Sequence, residues 1–121
     1  MNKAIIDIGS NSVRIMVCSG GKILLRSLIT TQLAKDREKN GKLSYKSING
    51  TLNGIIDLKN AALQLGECAF EAFATAAVRN APDGEDFCKL VKEKAGVNVR
   101  VLSGDEESLL GITGALKGGD G

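Results

Sequence analysis

The sequence predicts a mixed α/β domain: an antiparallel three-stranded meander extended by two right-handed crossover units into a five-stranded sheet with helices on its faces. Three observations carry this expectation. Three apolar runs at the amino terminus are joined by turns too short for parallel neighbours, which need a long crossover. After Ser44 the apolar spacing lengthens to a period of about 3.6 residues, that of a helix. Two further strand-like runs then alternate with helical segments, as in β-α-β units.

The elements follow in order. Ala4-Ile5-Ile6-Asp7-Ile8-Gly9 reads as a buried strand carrying one carboxylate, and Ser12 to Cys18 follows after the Gly9-Ser10-Asn11 turn. Ser19-Gly20-Gly21 signals a hairpin into the third strand, Lys22 to Thr30. Residues 31 to 43 are charged, poorly periodic and expected on the surface. Ile48, Leu52, Ile55, Ile56, Leu58, Leu63 and Leu65 form one helical stripe, with Ser44 placed to cap its start and Gly66 its end. Gly50 and Gly54, four apart inside that helix, share a face, from close packing or by chance. Cys68 to Thr75 reads as the fourth strand, although its alanines also fit a helix, and Ala76 to Asn80 as a turn or short helical start. Pro82-Asp83-Gly84 breaks the chain before a helix from Glu85 to Lys94, whose first turn is acidic and whose exit is Gly96. Val97 to Leu102 alternates as a short strand, and Ser103 with Glu106 forms a capping box for a last helix running to about Leu116.

Composition excludes several function classes. The chain has 121 residues, 43% hydrophobic and 25% charged, with one proline and 15 glycines that follow no Gly-X-Y period, so neither collagen nor Pro-rich disorder fits. Sixteen basic and fourteen acidic residues leave a net charge of +2, and Tyr45, Phe70, Phe73 and Phe87 are the whole aromatic complement; neither argues for a nucleic-acid partner. Histidine is absent, which removes His-based zinc sites and His-dependent nucleophile pairs from within this chain. Cys18, Cys68 and Cys88 have no ligand spacing and sit in apolar runs, so they are expected as buried thiols in a cytoplasmic protein. No apolar run reaches 18 residues, and no membrane association is expected.

Three turns carry groups suited to chemistry. Asp7 stands near the end of the first strand, where a carboxylate is costly unless bonded or paired with a metal. Gly9 allows a tight or left-handed turn, and Ser10, Asn11 and Ser12 then offer hydroxyl, amide and backbone N–H groups to an anion, with Arg14 adding charge if alternation turns it to the same side. A plain hairpin turn with a locally bonded Asp7 fits the same spacing. Ser103-Gly104-Asp105-Glu106-Glu107 reads as dipole-matched capping or, with Glu106 occupied by its cap, as a turn that frees Glu107 to act on water or hold a metal. Arg79, beyond the fourth strand, is either a surface residue or a partner for phosphate charge. All three turns follow the carboxyl ends of strands, where ligands collect in such sheets.

The segments Asp7-Ile8-Gly9-Ser10-Asn11-Ser12 with Arg14, Ala74-Thr75-Ala76-Ala77-Val78-Arg79-Asn80-Ala81, and Val101-Leu102-Ser103-Gly104-Asp105-Glu106-Glu107-Ser108 together resemble the exopolyphosphatase and guanosine pentaphosphate phosphatase family. That family belongs to the actin-like ATPase superfamily, with two ribonuclease-H-like domains flanking a cleft. The match spans nearly the whole chain, in order. The resemblance implies a β-β-β-α-β-α-β-α ribonuclease-H-like domain over residues 1 to 117, with 118 to 121 opening a link to a second domain. It implies that Gly9, Ser10, Asn11, Ser12 and Arg14 bind phosphate and that Asp7 and Glu107 serve a Mg2+ ion. Arg79 becomes a phosphate-side arginine, Glu107 the activator of water and Glu106 its support.

Two departures accompany the match. The family's Arg-Leu-Gly after the third strand is Gln32-Leu33-Ala34 here, so its basic contact is lost or moved to Lys35 or Arg37. Glu-Glu-Ala becomes Glu106-Glu107-Ser108. The family then continues into Asp-Ile-Gly-Gly-Gly-Ser, the second phosphate loop, before which this chain stops. The expectation is the amino-terminal half of a hydrolase that releases terminal phosphate from polyphosphate or guanosine pentaphosphate. The half by itself is expected to be inactive, partnered by its own carboxy-terminal domain and able to form a homodimer. The alternative is a non-catalytic actin-like module that binds nucleotide or self-associates.

Overall fold

The structure, a computed structural model, describes residues 1–33 and 41–103. The expected helix after Ser103, with Glu106 and Glu107, and most of the charged loop lie outside the described residues.

The meander consists of β1 (Asn2–Ile8), β2 (Ser12–Ser19) and β3 (Lys22–Thr30). After it come α1 (Tyr45–Leu63), β4 (Cys68–Ala74), α2 (Ala76–Arg79), α3 (Gly84–Ala95) and β5 (Val99–Val101). The strands form one sheet in the order β3-β2-β1-β4-β5, antiparallel across β3, β2 and β1 and parallel from β1 through β4 to β5. The alanine-rich segment is therefore strand: β4 lies in the sheet's parallel half, flanked on both sides, and its pairing overrides alanine's helical preference. β5 is shorter than expected, because only Val99 to Val101 stand in ladder register with β4.

The two long helices share one face of the sheet. Both crossovers, β3 to β4 through α1 and β4 to β5 through α3, step the same way across the sheet. Right-handed connections then place both helices on one face. There Ile55 and Leu58 of α1 and Phe87 and Val91 of α3 are buried with Ala4, Ile6 and Ile8 of β1, Val13, Ile15 and Val17 of β2, and Ala72 and Ala74 of β4. The alternate residues, among them Asp7, Arg14, Met16, Leu28 and Phe73, belong to the opposite face. All three cysteines are free thiols and half-buried, not buried; Cys68 and Cys88 pack against the core.

The helix ends follow local chemistry. Ser44 caps α1, its Oγ accepting the Ser47 N–H at 3.1 Å. Gly66 follows α1 at φ +124°, and Gly96 closes α3 at φ +70°, conformations that glycine adopts without strain. Asp83 precedes α3 but makes no side-chain cap bond; its Oδ1 accepts the Leu43 N–H at 3.0 Å and so ties the approach to α1 to the start of α3. Gly54 is close-packed, since a Cβ there would lie 3.1 Å from Thr31 Cγ2, whereas Gly50 faces open space.

Candidate functional site

The parallel half of the sheet brings the carboxyl ends of three strands to one rim. Ile8 of β1 is level with Ala74 of β4, which is level with Val101 of β5, so the segments after these strands leave side by side. The Leu102 N–H donates to the Ala74 carbonyl at 2.9 Å and carries this alignment one residue further.

At that rim a polar cavity of about 200 Å³ is lined by Asp7, Gly9, Ser10, Asn11, Ser12, Arg14 and Thr75. Alternation in β1 explains Asp7: with Ile6 and Ile8 committed to the core, its carboxylate belongs to the other face, 8% exposed. Arg14 of β2 and Phe73 of β4 flank it in register, so the sequence condition that Arg14 share the face of Asp7 is met.

The turn itself is tight. The Gly9 N–H donates to the Ser12 carbonyl at 3.0 Å, and a Cβ on Gly9 would stand 3.2 Å from that same oxygen. Glycine is thus used here for close approach, not for a left-handed backbone, since Gly9 is absent from the positive-φ positions. Ser10 and Asn11 are exposed, and no backbone carbonyl among the described residues accepts their N–H groups. Those two donors, the Ser10 and Ser12 hydroxyls, and the Arg14 guanidinium make the turn suited to an anion.

Sequence reasoning named most of this lining as site residues. Thr75 stands out in sequence only as part of a motif, because the register that sets Ala74 level with the end of β1 is not written in any local pattern. Arg79 stands elsewhere on the rim. It lines a second cavity with Val78, Ala81, Pro82, Gly84, Glu85 and Val101, and its Nη1 donates to the Leu102 carbonyl at 2.7 Å. Glu107 lies outside the described residues.

Among the described residues no group of three or more His, Cys, Asp or Glu is placed to hold a metal. Among the described residues Asp7 is the one carboxylate that lines the polar cavity. That fits a Mg2+ ion, which is commonly held by one or two carboxylates, water and substrate phosphate. No helix among the described residues is long and apolar enough to cross a membrane.

Comparison with known proteins gives concordant matches. A family model described as the Ppx/GppA phosphatase family matches residues 13–119. Exopolyphosphatase 1 of Mycobacterium bovis is 30% identical over 115 residues, covering 91% of this chain and 33% of that protein. The crystal structure of an Aquifex aeolicus Ppx/GppA family member superposes with a TM-score of 0.78 at 32% identity, over 88% of this chain and 36% of that one. An exopolyphosphatase structure from Cytophaga hutchinsonii, at 18% identity, shares the fold with a TM-score of 0.85, over 91% of this chain and 36% of that one. The chain thus spans about a third of the length of these relatives. The five-stranded sheet expected of a ribonuclease-H-like domain is the one observed.

Proposed function

Because the chain belongs to the Ppx/GppA phosphatase family, we propose that it forms the first phosphate-binding half of a phosphohydrolase that removes terminal phosphate from inorganic polyphosphate or guanosine pentaphosphate. One observation carries the reading: the cavity that joins Asp7, the Gly9–Ser12 turn and Arg14 at the carboxyl end of β1. Its donors and single guanidinium suit a phosphate chain, and its one carboxylate suits a phosphate-bound Mg2+.

In this reading the N–H groups of Ser10 and Asn11, the Ser10 and Ser12 hydroxyls and Arg14 hold non-bridging oxygens of the terminal phosphates. Asp7 would hold a Mg2+ ion, which would supply positive charge to the phosphates when bound. Glu107 orients a water molecule and takes its proton while the water oxygen bonds to the terminal phosphorus. The bond from that phosphorus to the bridging oxygen breaks, and the products are orthophosphate and a substrate one phosphate shorter. Arg79 balances charge from the β4 side. Residues 1 to 117 form the domain and 118 to 121 begin a link to a second one, which closes the cleft.

The test is phosphate release from polyphosphate and from guanosine pentaphosphate, with Mg2+, by the longer protein that carries this segment. Release that Glu107→Gln abolishes is expected, together with no release above background by the 121-residue chain alone. Turnover of neither substrate by the longer protein overturns the activity. Turnover by the short chain, lost in Glu107→Gln, overturns the division of the site between two halves.

A further inference from the structure

We infer that Gln32 is a positioning residue that sets the conformation of the Gly9–Ser12 turn through its backbone. Among the described residues Gln32 is the one non-glycine with positive φ, +51°, a conformation that side-chain-bearing residues adopt at a cost. What that turn accomplishes is visible on either side of it. The Thr31 and Gln32 N–H groups both donate to one oxygen, the Asn11 carbonyl, at 3.0 and 2.9 Å. The next side chain, Leu33, is fully buried in the core. On the other flank, Thr31 is pressed by α1, where its Cγ2 would stand 3.1 Å from a Cβ on Gly54. The exit of β3 is therefore held between a helix and the tip of the β1–β2 turn, and the left-handed Gln32 lets both contacts form together.

The consequence for the turn is geometric. In a trans peptide the carbonyl and the following N–H point opposite ways. Two donors fixing the Asn11 carbonyl on the β3 side thus turn the Ser12 N–H toward β1, and Ser12 lines the cavity. With Gly9 bonded to the Ser12 carbonyl, both ends of the turn are fixed before any ligand arrives. Preorganised donors of this kind bind an anion without ordering a loop first. The part of this inference that concerns anions rests on the function proposed above; the bracing of the turn does not.

The test uses the 121-residue chain and three substitutions. Gln32→Val places a β-branched side chain at a positive φ, Gln32→Gly removes the conformational cost, and Gln32→Ala removes the side chain's polar end with little change in backbone preference. Amide hydrogen exchange at Thr31 and Gln32 reads the brace without ligand. Exchange about tenfold faster in Gln32→Val, unchanged in Gln32→Ala, and equal or slower in Gln32→Gly is expected. Tripolyphosphate titrations, followed by the amide resonances of Ser10, Asn11 and Ser12, should weaken roughly five- to tenfold in Gln32→Val alone. Should Gln32→Val not fold, faster exchange in Gln32→Gly than in the parent overturns the inference. So does weakening in Gln32→Ala equal to that in Gln32→Val, because the side chain would then be the acting group. If the parent chain binds no tripolyphosphate, the anion role of the turn fails, and the exchange pattern alone decides the brace.

Discussion

Arg79 Nη1 donates to the carbonyl oxygen of Leu102 at 2.7 Å, joining the turn after β4 to the residue that leaves β5. Twenty-three positions separate the two in sequence, so the bond closes the parallel β4-α3-β5 unit at the rim. A charge-assisted bond to a backbone carbonyl is stronger than a neutral one, although the exposure of Arg79 moderates it. Arg79→Ala is expected to lower the stability of the chain by about 1 kcal/mol in denaturant titration, with Arg79→Lys recovering part of it. In the longer protein polyphosphate hydrolysis should fall further than this stability loss accounts for. Equal losses would leave Arg79 a structural tie only.

Asp7 separates function from stability in the other direction. Its carboxylate is on the cavity face of β1, away from the packed helices, so removing its charge disturbs no apolar contact in the core. Asp7→Asn should melt within a few degrees of the parent. Mg2+-dependent phosphate release by the longer protein is expected to drop on the order of 100-fold, an effect of roughly 2.7 kcal/mol on the barrier. Retention of Mg2+-dependent release at the parent level would remove Asp7 from the metal site.

The two helical glycines of α1 offer a paired test of packing against propensity. Alanine gains about 1 kcal/mol over glycine inside a helix. At Gly50 nothing among the described residues stands within 4 Å of a new Cβ, so Gly50→Ala should stabilise by about 0.5 to 1 kcal/mol. At Gly54 the Cβ would meet Thr31 Cγ2 at 3.1 Å and Ile29 Cγ2 at 3.5 Å. Gly54→Ala should therefore be less stable than Gly50→Ala by about 1 kcal/mol or more in urea titration, and it should also loosen the Thr31 N–H bond to Asn11. Equal gains at both positions would mean that α1 slides away from β3 at no cost.

These residues also show what the sequence alone could convey. The meander, the Ser44 cap and the Gly96 exit were legible because each is decided within a few neighbouring residues: a two-residue turn, a serine three positions before an N–H, a glycine at a helix end. The co-location of Asp7, Ser10, Asn11, Ser12 and Arg14 was legible for the same reason, since one hairpin carries them all. The side on which the helices lie was not, because it depends on the strand order, and a local pattern holds no information about whether β4 joins next to β1 or elsewhere. The pair of hydrogen bonds that the Asn11 carbonyl accepts escaped for a related reason. It joins residues twenty and twenty-one positions apart through backbone atoms, and Gln32 advertises nothing about the sign of its φ. Gly50 and Gly54 read alike in sequence and differ only in what faces them.

Thr51 tests a different kind of cost. It is fully buried on α1, and its hydroxyl has no hydrogen-bond partner among the described residues. Buried polar groups without partners cost about 1 to 3 kcal/mol relative to an apolar replacement of the same shape. Valine matches threonine in size and nearly in helix propensity, so Thr51→Val isolates the hydroxyl. The substitution should raise stability by about 1 kcal/mol, or the melting temperature by roughly 4 °C. The gain should be independent of any phosphate ligand, because Thr51 does not line the Asp7 cavity. A loss of stability would show instead that the hydroxyl bonds back to the carbonyl four residues earlier, at Ser47, as helical threonines can.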